Sequence, residues 1–182
     1  MTNSVNSGSY AQYEDFDILA YTCVKYLMDN DEVVWKLLKY ETTDAWNKPD
    51  LTPAEKASLI YNGDDDTAKF RVFLDIGQPD VLTGEVCQIR ISPYTILPEN
   101  RVVGTMSIMF EVYSNYKINH LNNYRTRIDM IAKRFLQVFN GATIGGIGRL
   151  HFDRLATESA RLENAGQLPF KGRWVIMSNK SN

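Results

Sequence analysis

Few residues in this chain of 182 have types that could do chemistry: two histidines, two cysteines, a triple aspartate and a glycine-rich run. His120 and His151 stand far apart in sequence. Neither has a cysteine or carboxylate at the spacing of a zinc site or a nucleophile–base pair. Asp64, Asp65 and Asp66 could attract a divalent ion, but no further ligands follow at fixed spacing, so a solvated turn is expected. Cys23 sits in a helical apolar pattern and Cys87 in a strand pattern. Both are expected to be buried free thiols, as suits a reducing compartment.

The stretch FNGATIGGIGRLHF, residues 139–152, has the composition of a phosphate cradle. A dinucleotide or P-loop motif needs a strand, then glycines, then a helix whose N-terminus meets the phosphate. Here the order is helix, glycines, strand. His151 stands where G-x-G-x-x-G needs its last glycine, and no Gly-Lys-Ser/Thr follows. Gly141 reads as the residue that closes a helix, and the later glycines as the bend into a strand. Pro79-Asp80 with Glu85 supplies the acids of a metal-dependent nuclease but not the lysine two residues on, where Cys87 stands. No catalytic, cofactor-binding or metal-binding residue is expected.

The elements that would carry a site are ordinary globular ones. Hydrophobic residues make up 44% and charged residues 23%, enough for one cored domain without disulfide or metal. Formal net charge is −2, whereas a dedicated nucleic-acid binder is usually basic. No apolar run approaches the ~20 residues that span a bilayer. The polar start MTNSVNSGSYAQ lacks the pattern of a signal peptide, so a soluble product with no membrane partner is expected.

Residues 1–10 read as a flexible arm, and 11–182 as a single α+β domain. Within it, 11–63 is a helical N-terminal part and 69–182 a sheet plus one helix. Phe16, Leu19, Ala20, Cys23, Val24 and Leu27 form a helical stripe, with Asp15 and Asp17 in its first turn. A second, short helix is read in EVVWKLLKY. Thr52, Pro53 and Glu55 form a capping box for a third, which Gly63 would end. Strands are expected at 69–76, 85–92 and 101–115, the last two as a hairpin, with Pro93 and Pro98 breaking the chain between them. Cys87, Ile89 and Ile91 should face one way, and Gln88, Arg90 and Ser92 the other. Residues 122–140 form the longest amphipathic helix, with a stripe from Tyr124 to Phe139 and an Asp129–Lys133 pair on the other side. GRLHFDR and KGRWVIMS read as closing strands, with 155–169 either an extended arm or a short helical excursion. The fold class is therefore α+β: a mainly antiparallel sheet against one long amphipathic helix, with an N-terminal helical region.

Arg125, Arg127, Lys133 and Arg134 give the long helix a basic outer face that could meet an acidic partner or passing DNA. Acids gather elsewhere, at Asp29, Asp31, Glu32 and Asp64 to Asp66. Segregated charge suits head-to-tail contact between copies. Tyr10, Tyr13, Tyr113 and Tyr116 lie in or beside polar segments, and contacts with other chains are expected there too.

The order of elements resembles the tail terminator and neck (head–tail joining) proteins of tailed bacteriophages. The stretches that carry the likeness are KLLKYETTDAWNKPDLTPAEK (36–56), RISPYTILPENRVVGTMSIMFEVYSNYKI (90–118) and FNGATIGGIGRLHFDR (139–154), with the closing FKGRWVIMS. The resemblance implies a virion structural protein at the head–tail junction, assembled in the host cytoplasm and without enzymatic activity. It implies a homo-oligomeric ring, commonly a hexamer, that terminates the tail tube and docks to the head connector or stopper. The tail tube protein and the connector would be partners, with the tail sheath as a further candidate, and DNA only passing cargo. A head-completion or stopper role makes the same demands. The reading from a different class is a small cytosolic enzyme or ligand-binding module. Its pocket would lie between the sheet and helix 122–140, with Asp75, Glu85 or His151 as acid or base.

Overall fold

The computed structural model describes residues 18–64, 67–74, 84–98, 104–145, 148–158 and 170–179. The N-terminal stripe forms α1 (Leu19–Asn30), which buries Leu19, Ala20, Cys23, Val24 and Leu27. Phe16 and the expected first-turn acids, Asp15 and Asp17, fall outside the described residues. EVVWKLLKY supplies α2 (Val33–Lys39), whose Val34 N–H donates to Asp31 Oδ1 at 2.7 Å. The capping box forms at α3 (Pro53–Ser58): Thr52 Oγ1 accepts from Glu55 N at 3.3 Å, and Glu55 Oε2 accepts from Thr52 N at 2.8 Å.

This third helix stops at Leu59, not at Gly63. The next residues are taken by the sheet: Leu59 O accepts from Arg71 N and Val72 N, and Tyr61 N donates to Val72 O. Glu55 also meets Lys39 Nζ, and that bond, with those from Thr52, lowers its carboxyl from 4.5 to about 2. A carboxyl lowered on folding adds stability above its unfolded value, and that stability is lost as pH falls through the folded one. Glu55→Gln is therefore expected to flatten the stability curve between about pH 4.5 and 2, and to leave it parallel to the parent's above that range. Urea midpoints measured across the range check this, and identical acid limbs would refute it.

The sheet elements follow as β1 (Val72–Phe73), β2 (Cys87–Pro98), β3 (Gly104–Asn115), then the short α4 (Tyr116–Asn119) and α5 (Arg127–Phe139). After them come β4 (Thr143–Ile144), β5 (Gly148–Arg149), β6 (His151–Glu158) and β7 (Phe170–Ser178). The main sheet runs β1-β2-β3-β7-β6, with β1 parallel to β2 and the other pairs antiparallel. Of the expected 69–76 strand, a 3₁₀ turn takes Thr67–Lys69 and the strand is Val72–Phe73; residues 75 and 76 are not described. β2 corrects the expected break. It runs through Pro93 to Pro98, with a register shift between Pro93 and Thr95. Proline lacks the N–H for the ladder, and a bulge is where a strand tolerates that loss. β6 extends to Glu158, so the first part of the expected 155–169 excursion is strand; 159–169 lie outside the described residues.

α5 starts at Arg127, five residues later than expected, with Thr126 as its N-cap. Residues 121–126 close instead into a turn in which Leu121 N donates to Arg125 O at 2.9 Å. Asp129 does not pair with Lys133; it pairs with Arg173 on β7 at 2.7 Å. The glycine run behaves as a connector. Gly141, at φ 86°, donates its N–H to Leu150 O at 2.7 Å, and Gly148, at φ 94°, pairs with Ile144 at the start of β5, just before β6.

α1, α2 and α5 all pack on one face of the sheet, and one apolar core joins them to it. Ile89, Ile91, Ile108, Phe110, Val112, Val175 and Met177 point into that core. Phe110 lies 5.1 Å from Phe135 and 4.6 Å from Phe139, ring centre to ring centre. Aromatic rings thus pack between the central strand and α5. Glu85 pairs with Lys117 near the 114 end of β3, while His151 aligns through Ser178 with Ser107. Seven strand residues separate those ends, roughly 23 Å, so these two groups do not converge. Asp75 is not among the described residues.

Candidate interaction site

The basic face expected on the long helix divides when the helix packs. Arg127 is wholly buried. Its Nε donates to Ile118 O at 3.1 Å, Nη1 to Tyr40 O at 2.8 Å and to Leu37 O, and Nη2 to Thr42 O at 3.1 Å. Leu37, Tyr40 and Thr42 are at and just past the end of α2, where helix carbonyls have no partner of their own and favour a cation. Burial lowers the guanidinium from its usual value, but an arginine stays charged. Arg134 also turns inward, to the buried carboxylate of Asp31 that caps α2. These two arginines therefore join helices within one subunit.

Arg125 and Lys133 remain exposed, and with Tyr124, Thr126, Asp129 and Met130 they line a cleft of about 410 Å³. Tyr124 was expected on the apolar stripe. Instead it sits at φ 62° with its side chain 102% exposed. A non-glycine residue in that region costs free energy and is held there by its surroundings. Here Asn122 is the anchor: its N–H donates to Thr43 O at 3.0 Å, and its Oδ1 accepts from Trp46 Nε1 at 2.8 Å. The loop is thus tied to the N-terminal helical part, with the Tyr124 ring in solvent. Hydrophobic periodicity could not reveal this, because the stripe from 128 onward continues backward through 124.

Of the four tyrosines proposed for contacts, Tyr116 is exposed at the start of α4. Tyr113 is buried, and its hydroxyl donates to Glu111 Oε1 at 3.1 Å, so it contacts its own chain. Tyr10 and Tyr13 fall outside the described residues.

A second region was missed from sequence. On the sheet face away from the helices, the polar residues Gln88, Arg90, Ser92 and Glu111 are buried, together with Tyr113. Arg90 and Glu111 are direct cross-strand partners, and the Arg90 guanidinium lies 5.5 Å from the Tyr113 ring centre. Burial raises the Glu111 carboxyl above its usual range; it also pushes the Tyr113 hydroxyl up to about 12, with the nearby Glu111 charge adding to the rise. Strict alternation of polar and apolar residues signals a half-buried strand, so a strand buried on both faces leaves no mark when one face is polar.

Cys23 and Cys87 are buried free thiols, as expected. Burial raises Cys23 to about 12 and Cys87 to about 11. A thiol reacts as its thiolate. Neither should therefore react with a water-soluble disulfide reagent at pH 8 in the native protein, and both should titrate once denaturant is added. Stoichiometric labelling of the native chain would contradict this. Among the described residues, no three His, Cys, Asp or Glu side chains come together as a metal site would require. Nor is any helix there long and apolar enough to cross a membrane.

No curated protein matches the chain. The YomW family model matches residues 31–168, more than half of the sequence and a span running from α2 past β6. The chain belongs to the YomW family, a phage-derived (SPbeta-like) family, and is on that ground a phage-associated protein.

Proposed function

We propose that this protein is a structural subunit of the phage neck. Copies close into a ring, six-fold by the neck resemblance, that terminates the tail tube and offers a face to the head connector. The tail tube protein and the connector or stopper are its partners, DNA passes through without being a ligand, and no catalytic step is assigned.

The observation that carries the structural reading is the β6 flank. β6 is an eight-residue strand at the edge of the main sheet. Its Phe152 and Leu155 align with Met177 and Val175, which point to the helices. The helices pack over β2, β3 and β7, and Phe152 and Leu155 are left 40% and 42% exposed. Apolar side chains beside a strand edge favour contact with another chain. The opposite edge strand, β1, is two residues long and unlike β6. Unlike edges favour heterologous contact, which closes rings.

Immunogold labelling of purified phage, with disrupted particles included so that covered epitopes are reached, tests this reading. Label at the head–tail junction or at the upper end of free tails is expected. Label on free tails favours a terminator; label retained on heads alone favours a stopper. A chain present in infected-cell lysate but on no particle would overturn the structural reading.

A further inference from the structure

Resting on that ring reading, we propose that the Tyr124 cleft receives the acidic 62–69 loop of a second copy of this chain. The cleft presents an exposed aromatic ring, the Met130 thioether side and two exposed cations, Arg125 and Lys133. Its one carboxylate, Asp129, is engaged by Arg173 and by the Thr126 hydroxyl. No carboxylate among the described residues pairs with Arg125 or Lys133. The cleft is therefore net positive with an aromatic centre, and it matches an acidic segment able to pack against a ring.

The strongest acidic run in the chain is NGDDDTAK, residues 62–69. It holds three aspartates in succession against one lysine, so it is formally net negative, and Lys69 engages Asp64 at 2.6 Å. Asp64 is exposed. Of the other acids considered from sequence, Asp31 is taken within the subunit by Arg134 and Glu32 by Lys56, and Asp29 stands alone rather than in a run.

Placement agrees with a heterologous contact. The described start of the acidic run, residues 62–64, directly follows Tyr61, whose N–H bonds Val72 O on β1. The cleft is tied through Asp129–Arg173 to β7, beside the β6 edge. β1 and β7 are three strand spacings apart, roughly 14 Å. A subunit thus carries the described start of the acidic run on the β1 flank and the cationic cleft toward the other. Head-to-tail pairing uses both and repeats around a ring.

The test is self-association of the full chain by sedimentation velocity at low and high salt. Arg125→Glu with Lys133→Glu is expected to weaken association on the order of tenfold or more, as is the triple change Asp64→Lys, Asp65→Lys, Asp66→Lys. The five changes together should restore it, because the charge pattern is reversed and not removed. Tyr124→Gly should weaken association while leaving the monomer folded by circular dichroism, since glycine accepts φ 62° freely. A parent that stays monomeric throughout, reversals without effect, or no recovery in the combined variant overturns the proposal, as does a cleft reversal that removes binding to a DNA duplex and spares self-association. Failure here with gold label still at the neck removes only this contact. Rescue by charge reversal with no label on particles removes only the neck reading.

Discussion

Arg127→Ala is expected to destabilise the folded chain by roughly 3–5 kcal/mol, a fall in melting temperature of about 10 °C. The change removes a buried cation that serves the carbonyls of Leu37, Tyr40, Thr42 and Ile118 and joins the end of α2 to the start of α5. Leaving those acceptors dry costs more than the bonds themselves contributed. Arg127→Lys keeps the charge but lacks the planar fork, so it should lose about half as much. Thermal unfolding of the monomer decides the matter. A surface arginine that served only a partner would leave monomer stability within about 1 kcal/mol of the parent, and that result would refute the buried role.

Phe110→Ala should cost a similar roughly 3–5 kcal/mol. Phe110 is fully buried and stacks at tilted angles on both Phe135 and Phe139. It is the point where the central strand meets the main helix, and close packing there allows little collapse into the cavity. Phe110→Leu keeps most of the volume and should lose less than about 1.5 kcal/mol. Denaturant midpoints, with unchanged slopes, measure both. If the alanine variant loses under about 1 kcal/mol, the ring cluster is not the centre of the core.

Much of this architecture is legible in the sequence because it follows from periodicity. The stripes of α1 and α5, the alternation in β2 and β3, the capping box at Thr52 and the glycine exit at Gly141 all read directly. What could not be read depends on long-range partners. β2 passes through Pro93 because β3 holds it on both sides of the bulge. α3 yields Leu59 to β1, a neighbour more than ten residues ahead. The basic helix face could not be divided into inner and outer arginines, since Arg127 points inward only because α2 ends beside it. Tyr124 shows the same limit: a turn closed by Asn122, Thr43 and Trp46 overrides the stripe.

The position of β7 also governs when this chain can fold. Among the described residues β7 follows every other strand in chain order, yet it lies inside the sheet, between β3 and β6. During synthesis the β2–β3 hairpin and α5 emerge first. Until residue 178 has cleared the ribosome, β3 keeps an unpaired edge and β6 has no sheet to join. The nascent protein must therefore wait with apolar strands open, a state prone to mispairing at high local concentration. Translation stopped before residue 170 should yield insoluble product, not a smaller folded domain.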